Sequence, residues 1–210
     1  MSIQGSAEWF AERCGKVTAS RIADMLATTK SGWGASRANY AAQLVAERLT
    51  GVPAESYQSP AMVWGTAAEG DAKAAYSFYT GHDVTDVGFI THPRIPSSGA
   101  SPDGHVDDDG SLEVKCPNTN THIDTLLGGE IPGKYVLQIQ WQLACSGRKW
   151  ADFISFDPRM PESMRLFVRR MERNDAMIAD LEAKVSAFLA EVEATVTDLR
   201  TKYEPAKEAA

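Results

Sequence analysis

Ser101-Pro102-Asp103-Gly104-His105-Val106-Asp107-Asp108-Asp109-Gly110-Ser111-Leu112-Glu113-Val114-Lys115-Cys116 is the stretch that decides the fold. Strand side chains alternate between faces, so Glu113 and Lys115 project from one side while Leu112, Val114 and Cys116 project from the other. One face is free for chemistry and the other for a core. The Asp-Gly step ending Asp107-Asp108-Asp109-Gly110 signals a tight hairpin, which sets Asp103 at the end of one strand beside Glu113 and Lys115 on its antiparallel neighbour. Two carboxylates and an ammonium are thereby gathered for metal-dependent phosphodiester chemistry. A hard cation such as Mg2+ accepts one or two carboxylates and leaves its other positions to water and phosphate.

The acidic turn is not a calcium loop. With Gly110 at the glycine position of an EF-hand, the first ligand would be His105 and the last Cys116, neither a calcium oxygen ligand. Asp107, Asp108 and Asp109 read as residues that solvate a turn.

Outward from this hairpin the pattern is α/β, with neither repeats nor low-complexity linkers. Short helices are expected over residues 6–12 and 20–27. Longer ones are expected over Arg37 to Leu49, ended by Gly51 and Pro53, and over Met62 to Tyr79, stopped by Gly81. Strands are expected near 84–90, 98–101, 104–106, 111–116, 150–156 and 164–170, with a helix near 134–145 ended by Gly147. The architecture this predicts is a mixed β-sheet flanked by helices. Ile178, Leu181, Val185, Phe188, Val192 and Leu199 then form an apolar seam, interrupted by Thr195, on a final helix. That seam suits packing against the protein's own body or a subunit interface. The segment 205–210 reads as a disordered tail, which leaves one domain over 1–204.

At 210 residues and 43% apolar content, the chain can bury one sizeable core. No apolar run approaches membrane-spanning length and no basic-then-apolar leader opens the sequence, so a soluble, cytoplasmic protein with no membrane association is expected. Cys14, Cys116 and Cys145 are odd in number and dispersed, which indicates neither a disulfide framework, a zinc site nor a four-cysteine iron-sulfur cluster. His82, His92, His105 and His122 lack metal-ligand spacing.

A net charge of −7 disfavours unspecific DNA binding. Its distribution softens the objection. Residues 61–113 hold 9 acidic and 2 basic residues, whereas 114–174 hold 9 basic and 6 acidic, including Arg165, Arg169, Arg170 and Arg173. Cations bound at the acidic segment would offset its charge, and the arginines offer a local positive surface.

Pro-Asp, a spacer and Glu-x-Lys form the signature of PD-(D/E)XK nucleases. Over roughly residues 6 to 195 the chain resembles the phage lambda exonuclease, or YqaJ-type viral recombinase, family. The likeness rests on Trp9 and Arg13 ahead of Val17-Thr18-Ala19-Ser20, on Trp64-Gly65 with Glu69, and on Ser101-Pro102-Asp103-Gly104. Leu112-Glu113-Val114-Lys115-Cys116-Pro117, Gln138-Ile139-Gln140 and Asp157-Pro158-Arg159-Met160 complete it, in the family's order. The resemblance implies a single-domain restriction-endonuclease-like core and a Mg2+-dependent 5′→3′ exonuclease acting on linear double-stranded DNA. It would yield mononucleotides and leave 3′ single strands for annealing-type recombination.

The same resemblance implies the site. Asp103 would bridge one or two Mg2+ ions, with Mn2+ able to substitute; Glu113 and the Val114 carbonyl would complete the first ion, and Glu69 would act near the second through water. Lys115 would orient and help deprotonate the attacking water, its pKa lowered beside cations. Gln140 would help hold the lysine and water. Gly65, sharing a helix face with Met62 and Glu69, would permit close approach by a partner. Arg13, Ser20 and Ser101 would form the pocket for the 5′-phosphate, with Ser20 also placed to cap the helix beginning near Arg21. A homotrimeric ring around DNA and a single-strand annealing protein as partner are implied likewise. Two other classes use the same residues: a restriction- or repair-type endonuclease, and a non-catalytic DNA-end-binding module.

Overall fold

The computed structural model describes residues 2–30, 32–54 and 59–204, with residues 61 and 62 described through their backbone alone. The expected tail 205–210 and the Met62 side chain lie outside the described residues. In chain order the elements are α1 (Ala7–Arg13), β1 (Val17–Thr18), α2 (Ile22–Met25), β2 (Thr28–Thr29), β3 (Gly32–Trp33), α3 (Ala35–Thr50), α4 (Pro60–Thr80), β4 (Val84–Thr85), β5 (Ile90–Thr91), β6 (Ser98–Ala100), β7 (Gly104–Val106), β8 (Gly110–Lys115), α5 (Thr119–Gly128), α6 (Gly133–Ser146), β9 (Trp150–Phe156), β10 (Leu166–Glu172) and α7 (Asp175–Tyr203). Tight 3-10 turns over Ala19–Arg21 and Glu162–Met164 precede α2 and β10.

The decisive strand β8 lies inside a five-stranded sheet of order β10-β9-β8-β7-β4, in which β8 and β9 run parallel and the other pairs antiparallel. A parallel neighbour needs a crossover, and α5 with α6 supplies it. A second sheet, β1-β6-β5, carries the segments that lead into the site. The mixed sheet flanked by helices is as expected.

The alternation within β8 separates two cores. Leu112 and Val114 pack with Ala72 and Tyr76 of α4 and with Ile154 and Phe156 of β9. Phe153, on the opposite face of β9, joins the larger core with Ile139 and Leu143 of α6 and the seam of α7. That seam packs against the protein's own body: Ile178, Leu181, Val185, Phe188 and Val192 are buried in that core. Val196 continues the stripe, while Thr195 is exposed.

Three local expectations change. Residues 84–90 are two short strands in different sheets, β4 pairing with β7 and β5 with β6. The hairpin loop is Asp107–Asp109, and the residue with positive φ is Asp107 (43°), a type that tolerates this region. Gly110 is already in the strand, where a Cβ would meet the Trp150 ring at 2.2 Å, so close approach rather than turn geometry explains it. Asp107 accepts from Asp83 N–H and meets His82 Nδ1 at 2.6 Å, while Asp109 pairs with Lys149, so the acidic turn is spent on local partners.

Candidate active site

Asp103 follows β6 and precedes β7. Its N–H donates to the Leu112 carbonyl (3.1 Å), and its Oδ2 accepts the Val114 N–H at 2.6 Å. Strand β7 pairs with β8 from Val106↔Gly110 only as far as Gly104↔Leu112, so beyond that point a carboxylate takes the rung that a backbone carbonyl would otherwise fill. The strands part there, and the site forms in the gap. A strand residue's N–H and C=O project to the same edge, so the Val114 carbonyl also faces the gap.

Glu113 keeps 1% of its side-chain surface exposed. Its carboxylate is ion-paired with Lys115 and accepts amide hydrogens from Gln138 (2.6 Å to Oε1) and Gln142 (2.5 Å to Oε2). Glu69, one turn before Lys73 on α4, is held at 2.7 Å by the Lys73 ammonium, which also meets Asp86 at 2.8 Å. Burial, the neighbouring Glu113 charge and that of Glu69 together push the Asp103 carboxyl up to about 8, against the opposing pull of Lys115 and the Val114 N–H. For Lys115 the expected direction is reversed. Burial lowers its pKa, but the charges of Glu113 and Asp103 outweigh burial and hold the ammonium above its ordinary value.

The donor set suits a hard cation. Among the described residues no three His, Cys, Asp or Glu side chains stand together as a ready-made metal cage. Mg2+ does not require one, since one or two carboxylates with water suffice. Asp103 and Glu113, with excess negative charge strong enough to raise the Asp103 pKa, provide those oxygens.

Gly65 does what its position demands: a Cβ there would lie 3.3 Å from the Cys116 carbonyl, so α4 approaches the end of β8 closely. Trp64, Pro117, Asp157 and Arg159 form one knot at that junction. The Arg159 guanidinium lies 4.3 Å from the Trp64 ring centre and donates to Asp157 (2.7 Å) and to the Pro117 carbonyl (3.3 Å), while Thr119 donates to Asp157 at 2.7 Å.

Asp103 and Glu69 open onto a cleft of about 840 Å3 whose lining includes Arg13, Ser20, Thr18, Trp9 and Lys73. The Arg13 guanidinium stacks 4.0 Å from the Trp9 ring centre and donates to Ser101 Oγ at 3.3 Å. Trp9 Nε1–H donates to the same oxygen at 2.9 Å, leaving the serine's own hydrogen to donate elsewhere. Burial lowers the Arg13 pKa to about 10, and among the described residues no carboxylate lies within ion-pair distance of it. Ser20 lies in the turn before the four-residue α2 and makes no capping bond; its Oγ sits 3.5 Å from Thr18 Oγ1.

Gln140 is not brought to this site. Its Nε2 donates to the Glu172 carbonyl (2.8 Å) and its Oε1 accepts the Asn174 N–H (2.9 Å), tying β10 to the start of α7. Side chains two residues apart on a helix point in opposed directions, so Gln138 and Gln142 face Glu113 and Gln140 faces away. The expected basic surface is likewise reduced: Arg169 pairs with Glu130, Arg170 with Asp152 and Arg173 with Asp175. The three cysteines are free.

Residues 8–149 match the YqaJ-like viral recombinase domain. The chain belongs to that family. It superposes on the crystal structure of an alkaline exonuclease (LHK-Exo) from Laribacter hongkongensis with a TM-score of 0.87 and 51% identity, over 94% of this chain and 97% of the other. The same exonuclease in complex with dAMP gives a TM-score of 0.88 at 51% identity, with 94% and 97% coverage. A phage-related exonuclease from Haemophilus somnus 129PT shares the fold alone, with a TM-score of 0.69 at 14% identity over 88% of this chain and 96% of the other. No curated protein matches the sequence significantly. As a member of this YqaJ-like family the chain is a nuclease, and none of its described helices is long and apolar enough to cross a membrane.

Proposed function

We propose that the protein is a Mg2+-dependent 5′→3′ exonuclease that enters linear duplex DNA at a 5′-phosphorylated end, releases mononucleotides and leaves a 3′ single strand for annealing. One observation carries the exonuclease reading. The same cleft holds the acidic group of Asp103 and Glu69 at one side and, at another, a buried Arg13 cation with no carboxylate partner among the described residues. A guanidinium kept from water without an anion calls for one, and a terminal phosphate supplies both the charge and the hydrogen-bond acceptors. An endonuclease has no use for such a pocket.

Asp103, Glu113 and the Val114 carbonyl would hold the first of two Mg2+ ions, and Glu69 would act near the second through water; Mn2+ would substitute. Bound Mg2+ would neutralise the scissile phosphate and stabilise the attacking and departing oxygens. Lys115, kept charged by its carboxylates, would donate to the attacking water or the phosphate and orient it for in-line displacement. Arg13, Ser101 and Ser20 would fix the 5′-phosphate, so that the first phosphodiester bond lies against the acidic group.

The test sets linear 5′-phosphorylated duplex beside covalently closed plasmid, both with Mg2+. The expected result is loss of the linear DNA alone, from its 5′ ends, and no cleavage by Lys115→Ala, which still binds DNA. Nicking of the closed circle would favour the endonuclease reading.

A further inference from the structure

We infer that Gln138 and Gln142, on successive turns of α6, form an amide bracket that positions the Glu113 carboxylate for its cation. The inference rests on the metal-dependent reading above and extends it to two side chains outside the Asp-Glu-Lys signature. Both amides donate to Glu113, one to each oxygen, at 2.6 and 2.5 Å. Lys115 shares Oε1 with Gln138. An ionised carboxylate has about four acceptor positions, so three donors leave about one, on the Oε2 side. The bracket therefore fixes the orientation of Glu113 and directs the remaining acceptor.

The arrangement is retained at a cost. Gln142 is fully buried, and its Oε1 has no hydrogen-bond partner. A leucine of similar volume would fill this part of α6 without an orphaned acceptor, so packing does not explain the glutamine. The amide donor facing Glu113 does. Helical geometry supports the same reading: residues four apart share a face, so one helix presents two donors to one carboxylate while its next face packs Ile139 and Leu143 into the core. Groups that orient metal ligands typically affect metal affinity or turnover by about 10–100-fold.

The experiment uses the full-length protein with Gln138→Leu, Gln142→Leu and the double substitution. Calorimetric titration of DNA-free protein with MgCl2 or MnCl2 alone reads metal affinity, thermal melting reads folding, and steady-state digestion of linear duplex reads kcat and KM. Expected are metal affinity about tenfold or more weaker in each single variant, kcat reduced by about 10–100-fold and KM for DNA within about twofold. A lower melting temperature with parental metal affinity and kcat would reduce the bracket to a structural role and overturn the inference. Should Gln142→Leu fail to fold, Gln138→Leu at its half-buried position decides the matter. If the parent protein itself neither binds Mg2+ nor digests DNA, the functional reading fails; variants that match an active parent sink only the bracket.

Discussion

Arg13 is the residue whose surroundings say most about substrate choice. Its guanidinium is lodged against the Trp9 ring and bonded to Ser101, while burial weakens its hold on the proton. A hydrogen bond to a charged group contributes about 1.5–3 kcal/mol, or roughly 10–100-fold in rate. Arg13→Ala is therefore expected to slow digestion of 5′-phosphorylated ends by about that factor while leaving 5′-hydroxyl ends unchanged. Paired rate measurements on the two substrates check this, and an equal loss on both would contradict the pocket. At this scale the sequence signature conveyed identity better than direction. Asp103, Glu113 and Lys115 follow from strand alternation and hairpin pairing. Gln140 was assigned by likeness of motif, yet helical phase turns it toward Glu172 and Asn174 and brings its neighbours at 138 and 142 to the site.

At the scale of elements, the Trp64-Arg159-Asp157-Thr119 knot joins the start of α4 to the exits of β8 and β9. Burial alone would raise the Asp157 pKa, but bonds from Arg159 and Thr119 overcome it and lower the value to about 2. A carboxyl whose folded pKa lies below its ordinary 3.8 contributes stability present above that pH and lost as pH falls toward 2. The contribution is about 2 kcal/mol. Denaturant unfolding between pH 6 and pH 2 is expected to show the advantage of the parent over Asp157→Asn shrinking by about this amount; a constant difference would refute the linkage. The elements hardest to read were those whose signals are polar or short. Helix α5 buries His122 and Thr125, the former bonded to Ser155 and the Met164 carbonyl, so no apolar period marks it. Strand β10 starts later than expected because a 3-10 turn follows Pro161. Strand β1 has two residues and owes its existence to parallel pairing with β6, a contact between distant parts of the chain.

For the whole molecule, the charge problem persists. With Arg169, Arg170 and Arg173 each neutralised by a carboxylate, an acidic protein cannot rely on a broad basic face to retain DNA. We propose that enclosure replaces attraction, as in a ring of three subunits around the duplex, with a single-strand annealing protein receiving the emerging strand. Sedimentation is then expected to give three times the chain mass at micromolar concentration, and retention on DNA is expected to depend little on salt. A monomer whose binding collapses with added salt would sink the ring.

The contact between Arg13 and Trp9 has an optical consequence. An indole stacked under a cation and donating its Nε1–H to Ser101 has its emission set by that local field, so a phosphate arriving at Arg13 should shift the fluorescence of one of five tryptophans. The enzyme thereby carries an intrinsic dye at the point where a DNA end is first grasped, and capture of that end can be timed apart from the cut that follows.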